Sequence, residues 1–285
     1  MPDIKHIGIV GAGTMGRGIA QVFAQAGFEV SLYDVMPGLP EKAKREIEQA
    51  LQALVAKQKI TDREMQDALN RILPAGRLEE LNADLVVEAI AEDGPLKKDL
   101  FQKLENIVTP DTILATNTSS LSVTELSSVL KYPHRFAGLH FFNPAPLMKL
   151  VEVVRGALTS ETVVLQLSEL VKKLSKYPVT AHDSPGFIVN RVARPYYTEA
   201  LKLLEEQVAS IETVDRLMRA TGFKMGPFEL MDLIGNDVNY VVTRSVYEAF
   251  AGEPRFRPSR IQEQKVKSGH LGRKSGKGFY DYDKK

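Results

Sequence analysis

In the stretch Arg135 to Val154, RFAGLHFFNPAPLMKLVEVV, an apolar run delivers His140 into a Phe-Phe-Asn-Pro turn, and a second apolar run carries a single acid, Glu152. A carboxylate that accepts a hydrogen bond from one nitrogen of an imidazole fixes its tautomer and stabilises the imidazolium, so the pair has the composition of a general base with its orienting partner. The same pattern also suits a satisfied core histidine beside a strand-end charge, and the stretch alone does not separate the two. A second set of residues points to a ligand. Gly11, Gly13 and Gly16 form G-x-G-x-x-G between an apolar run and a helical pattern. The first glycine permits a tight turn, the second lets a pyrophosphate approach the backbone, and the third lets helix and strand pack closely; the N–H groups around Thr14 and Met15 then face the phosphates. A third set, Asn117-Thr-Ser119-Ser120, gathers an amide and hydroxyls after an apolar run. Small polar residues are also what turns are made of, so Ser119 alone decides little.

These residues need a scaffold, and the hydrophobic pattern supplies one. Ile7 to Val10 reads as a strand feeding the glycine turn, and Ile19, Ala20, Val22, Phe23 and Ala26 mark the helix after it. Glu29 to Tyr33 is a second strand, and it ends at Asp34, 18 residues after Gly16. That is near the roughly 20-residue spacing of a ribose-binding carboxylate. Asp34 would repel a 2′-phosphate, so NAD is favoured over NADP. Residues 39–73 read as a charged helical pair, the second member starting at Thr61-Asp62 and running through REMQDALNRIL. Strands near 84–90 and 112–116 follow, with a helix between them that starts at Gly94-Pro95. A helix over 160–175 and a strand near Val179 complete an α/β pattern, a Rossmann-type mostly parallel sheet.

At Ser184-Pro185 the strand pattern stops, which places a domain boundary there: residues 1–184 as a dinucleotide-binding domain and 185–285 as an all-helical domain for substrate contacts and dimerisation. Ser184 as cap and Pro185 in the first turn predict a helix start, Asn190 falls within that helix, and Pro195 should bend it. The tail GHLGRKSGKGFYDYDKK is basic and glycine-rich, with Phe279, Tyr280 and Tyr282 suggesting that it docks.

Composition excludes several classes. With 285 residues, of which 44% are hydrophobic, the chain can build a substantial core. A net charge of +1, spread along the chain, offers no case for nucleic acid or a membrane surface. The absence of cysteine removes disulfides, thiolate chemistry and Cys-ligated metal. The first strand begins within a few residues of Met1 and no apolar run approaches the roughly 20 residues of a membrane span, so a cytoplasmic location is expected.

Together, GAGTMGRGIAQ, LVVEAIAE, TNTSSL, RFAGLHFFNPAPLMKLVEVV, DSPGFIVNR, MGPFEL and GRKSGKGFY resemble, in family order and nearly end to end, the L-3-hydroxyacyl-CoA dehydrogenase family, its bacterial 3-hydroxybutyryl-CoA members in particular. The resemblance implies NAD as cofactor, an acyl-CoA substrate and a homodimer. It also implies His140 as catalytic base, Glu152 as its partner, and Ser119, Asn143 and Asn190 as positioners of substrate and nicotinamide. Cofactor contacts from Asp34, Glu92, Lys97 and Lys274 follow in the same way, as does a role for Lys57 in holding the CoA portion. The chain departs from the family pattern at Asp93-Gly94-Pro95, beside Glu92 and Lys97.

Overall fold

The computed structural model describes residues 4–282, divided into a unit ending at Ser184 and a unit beginning at Pro185. Residues 1–3 and the last three of the basic tail lie outside the described residues.

The first unit is built on one sheet. Its strands are β1 (His6–Val10), β2 (Glu29–Tyr33), β3 (Ile72–Ala75), β4 (Leu85–Glu88), β5 (Ile113–Thr116), β6 (Phe136–Phe141), β7 (Leu150–Arg155) and β8 (Tyr177–His182), in the order β3-β2-β1-β4-β5-β6-β7-β8. All neighbours from β3 to β6 pair in parallel, β7 runs antiparallel to β6, and β8 is parallel to β7. The chain builds outward from β1 to β3, then crosses back to place β4 on the other side of β1. The strand order therefore reverses beside β1, and ligands of open α/β sheets bind in the crevice beyond the carboxyl ends at such a point.

Helices cover both faces, which is why β4, β5 and β6 are buried along their whole length. Side chains alternate along β6. Phe141 meets Phe23 of α1 (Thr14–Gln25) on one face, while Phe136 meets Phe101 of α4 (Gly94–Ile107) on the other. His140 shares the Phe136 face. Gly138 lies between them in the same row, and a Cβ there would fall 2.7 Å from Cβ of Val154. A glycine there leaves room for Val154 on the neighbouring strand β7 and for Val123 of the short helix α5 (Val123–Ser127), which packs on this face.

The helical excursion consists of α2 (Leu39–Ala56) and α3 (Asp62–Asn70), the latter opened by a capping box between Thr61 and Glu64. The helix expected to run to Leu73 stops at Asn70. Ile72–Ala75 instead forms edge strand β3 on β2. Pairing with the otherwise open edge of β2 outweighs the helical character of that run. Helix α6 (Glu161–Lys173) starts at its Ser160 cap.

The second unit contains α7 (Val189–Glu205), α8 (Ile211–Ala220), α9 (Pro227–Ile234), α10 (Asn236–Ala249) and α11 (Arg260–Lys267). Helix α7 does not begin at Ser184-Pro185. Gly186 and Phe187 both have positive φ, so the chain turns before it enters the helix at Val189, and Asn190 sits in the first turn rather than mid-helix. Pro195 lies inside α7. Tyr197, Leu201, Val214, Phe228, Met231 and Phe279 form the core. Two buried acids organise the rest: Asp215 accepts from the first N–H groups of α9, at Phe228 and Glu229, and Asp232 accepts from Phe279 N, Tyr280 N and the Tyr282 hydroxyl. The aromatic end of the tail is therefore docked by hydrogen bonds as well as by Phe279. Among the described residues no helix is long and apolar enough to cross a membrane. The architecture is a Rossmann-type, mostly parallel sheet followed by an all-helical unit, as the pattern of elements predicts.

Candidate active site

His140 and Glu152 face each other across the antiparallel pair β6–β7 as direct register partners. The loop between these strands turns the chain back on itself, and this reversal brings the base and the acid together. His140 Nδ1 lies 2.7 Å from Glu152 Oε2, with Glu152 fully buried and the His140 side chain 6% exposed. Because Glu152 can only accept when ionised, the hydrogen bond places the proton of the neutral ring on Nδ1. Nε2 is then the nitrogen that accepts a proton. The Phe142 ring packs against the imidazole, 4.4 Å between centroids. Asn117, at the end of β5, extends the β5–β6 ladder with its side chain: Oδ1 accepts from Phe141 N at 2.8 Å, pinning the backbone next to His140.

The glycine turn follows β1. Gly11 has φ +104°, and a Cβ on Gly16 would collide with the carbonyl oxygen of Gly11, so the close crossing of turn and helix needs both glycines. A Cβ on Gly13 would meet nothing, so the turn is open there. No side chain caps α1, leaving its first-turn N–H groups, at Thr14, Met15 and Gly16, without a side-chain acceptor at the cap. Asp34 Oδ2 accepts from Ala12 N and its Oδ1 from Met36 N, fixing the carboxylate beneath the turn. Open backbone, a helix N-terminus and an adjoining acid fit a dinucleotide with an unphosphorylated ribose.

On the other side of β1, Glu88 ends β4 fully buried. Its carboxylate accepts from Lys97 Nζ at 2.8 and 3.0 Å, from Thr116 Oγ1 at 2.7 Å and from Ile90 N at 2.7 Å. Lys97, 1% exposed, also pairs with Glu92 Oε2 at 3.0 Å. Glu92 Oε1 accepts from Thr118 Oγ1 at 2.6 Å, Ser119 N at 2.9 Å and Ser120 N at 3.2 Å. Burial pushes the Glu88 carboxyl above its usual range against the pull of Lys97. For Glu92 burial acts the same way, but Lys97 and the Thr118 hydroxyl outweigh it and hold the carboxyl below its usual range.

Asn143 begins the exposed turn after β6, with a cis peptide to Pro144. Buried Lys176 ties that turn down by donating to the carbonyls of Ala145 and Met148. Asn190 and Lys274 belong to the second unit. The Asn190 carbonyl accepts from Arg194 Nε at 3.1 Å, and Lys274 Nζ pairs with Asp237 at 2.6 Å. Lys57 is the exposed C-cap of α2.

Glu88, Asn117 as a brace of β6, and Lys176 are not among the residues that the sequence singles out. Glu88 had a readable signal, an acid closing the apolar run Leu-Val-Val-Glu, whereas the roles of Asn117 and Lys176 depend on which strand and loop come alongside.

Known proteins match this chain along nearly its whole length. Residues 6–184 match the family 3-hydroxyacyl-CoA dehydrogenase, NAD binding domain, and residues 186–282 match 3-hydroxyacyl-CoA dehydrogenase, C-terminal domain. The chain is 49% identical over 99% of its length to a 3-hydroxyadipyl-CoA dehydrogenase of Escherichia coli, of which it spans 60%. It is 43% identical to a probable 3-hydroxybutyryl-CoA dehydrogenase of Bacillus subtilis, with 99% of both chains covered. Among solved structures, an (S)-3-hydroxybutyryl-CoA dehydrogenase from Ralstonia eutropha superposes with a TM-score of 0.94 at 40% identity, over 98% of this chain and 99% of the other.

Proposed function

The chain belongs to the 3-hydroxyacyl-CoA dehydrogenase family, and from that premise we propose that it oxidises short L-3-hydroxyacyl-CoA thioesters to 3-ketoacyl-CoA, reversibly, with NAD and with His140–Glu152 as the base. The observation that carries the reading is the buried 2.7 Å contact between His140 and Glu152. A core histidine would be satisfied by a backbone carbonyl at no electrostatic cost. A fully buried carboxylate is expensive to keep ionised and is worth keeping where a charge forms opposite it.

In the oxidising direction Nε2 of His140 takes the proton of the substrate C3 hydroxyl as the C3–O bond becomes a carbonyl. Glu152 holds the ring by Nδ1 and stabilises the imidazolium until the proton is passed on. Bound NAD supplies the acceptor for the hydride that leaves C3. Asp34 would hold the adenosine ribose and the N–H groups of Thr14 and Met15 the phosphates, on the open turn at Gly11, Gly13 and Gly16. Ser119, Asn143 and Asn190 act by position, where small displacements are costly. Glu92 and Lys274 complete the cofactor contacts, with buried Lys97 acting through Glu92, and Lys57 attracts the phosphates of CoA. The protein acts in the cytoplasm as a homodimer.

The test is NADH formation across a series: (S)-3-hydroxybutyryl-CoA, longer 3-hydroxyacyl-CoAs, 3-hydroxyadipyl-CoA and free 3-hydroxybutyrate. The proposal expects turnover of the thioesters with the shortest most efficient. Turnover of the free acid in preference to every thioester would overturn it.

A further inference from the structure

Three charged residues stand where the strand order reverses: Glu88, Lys97 and Glu92. Lys97 has three N–H donors and meets three carboxylate oxygens, Oε1 and Oε2 of Glu88 at 2.8 and 3.0 Å and Oε2 of Glu92 at 3.0 Å. At 1% exposure the ammonium is fully engaged within the domain. Glu88 is locked in turn by Thr116 of the neighbouring strand and by the backbone at Ile90. Glu92 is different, since its other oxygen receives the backbone N–H groups of Ser119 and Ser120 and the hydroxyl of Thr118. A chain of charge-assisted contacts thus runs from the sheet interior to the loop that presents Ser119.

We propose that Glu88 is a positioning residue for the reaction: through Lys97 it sets the orientation of Glu92, and through Glu92 the conformation of the Ser119 loop. The physical argument is charge balance. One buried ammonium is shared by two carboxylates. Neutralising Glu88 leaves Glu92 as the only anion beside Lys97, and a buried cation with one anion draws it closer. Glu92 cannot follow the ammonium and keep its bonds to Ser119 and Ser120, so the loop loosens. Lys97 accordingly serves the ligand site through Glu92. The inference rests on the proposed reading of Ser119 as a substrate positioner, but its first readout does not.

The test uses Glu88→Gln in the full chain without ligands. Amide hydrogen exchange at Ser119 and Ser120 is expected to accelerate at least about tenfold, while exchange in β1 and β2 stays as in the wild type. Thr116→Val, which removes one brace of Glu88 at nearly constant volume, is expected to act in the same direction more weakly, and it serves if the glutamine variant does not fold. With a thioester that the wild type turns over, Glu88→Gln is expected to lower kcat/KM about tenfold, and Ser119→Ala in the same chain to abolish that effect. Unchanged exchange at Ser119 and Ser120 overturns the proposal whatever the substrate proves to be. A full tenfold loss persisting in the Ser119→Ala background overturns the route through the loop.

Discussion

At the scale of single residues, the charge of Glu152 is what separates a catalytic pair from a structural one. Glu152→Gln keeps the shape and can still accept from Nδ1, but it removes the charge that stabilises the imidazolium. The expected result is slower turnover with NAD affinity as in the wild type. Unchanged turnover would make Glu152 a spacer. Glu92 permits a stability test with a definite sign. Its folded-state carboxyl is held below the ordinary 4.5, so its contribution is present above that value and is lost as pH falls through the folded-state value. The difference in Tm between wild type and Glu92→Gln should hold from neutrality down to about 4.5 and shrink below it; a difference that grows in acid would contradict the assignment. His140 and Glu152 were legible in the sequence because each interrupts an apolar run, where a polar side chain needs a reason. The Glu88–Lys97 pair was not, because Lys97 reads as one more charge on a helix until the sheet places Glu88 beneath it.

At the scale of elements, local signals and tertiary pairing compete, and the outcome depends on what lies alongside. The start of α3 is set locally. Thr61 Oγ1 accepts from Glu64 N, and the Glu64 carboxylate accepts from Thr61 N. Thr61→Ala should cost about 1 kcal/mol. In a domain of this size that lowers Tm by roughly 2–4 °C, measurable by calorimetry. No measurable loss would mean that packing of α3 on its neighbours, and not its cap, fixes the helix start. The end of α3 is set from outside. Ile72 is buried while Leu73 is exposed, and the run becomes strand because β2 offers an edge. The glycine turn, α4 and β4 to β7 were readable, since apolar runs bounded by Gly, Pro and Asn carry both their type and their limits. The entry to α7 was not. Ser-Pro is a good start signal, and although Gly186 permits a positive φ, the positive φ of Phe187 that delays the helix to Val189 leaves no mark on the sequence.

At the scale of the whole molecule, the second unit keeps apolar side chains on its surface. Val238 and Val241 of α10 are 47% and 63% exposed, and Leu217, Phe223 and Leu233 are each at least half exposed. Covering such surface is worth about 25 cal/mol per Å². Exposed apolar side chains of this kind are what the proposed homodimer would cover. The full chain is expected to sediment with the mass of two copies, and Val238→Glu with Val241→Glu to reduce it to one; a wild type that sediments as a single copy would contradict the dimer. The central claim, that a histidine braced by a buried acid takes the hydroxyl proton of a 3-hydroxyacyl-CoA beside NAD, is tested most directly by His140→Ala. Turnover of (S)-3-hydroxybutyryl-CoA and NAD affinity are measured on the same preparation. Turnover lower by about 10²- to 10⁴-fold, with NAD bound as before, is the expected result. Wild-type turnover in the alanine variant would contradict it.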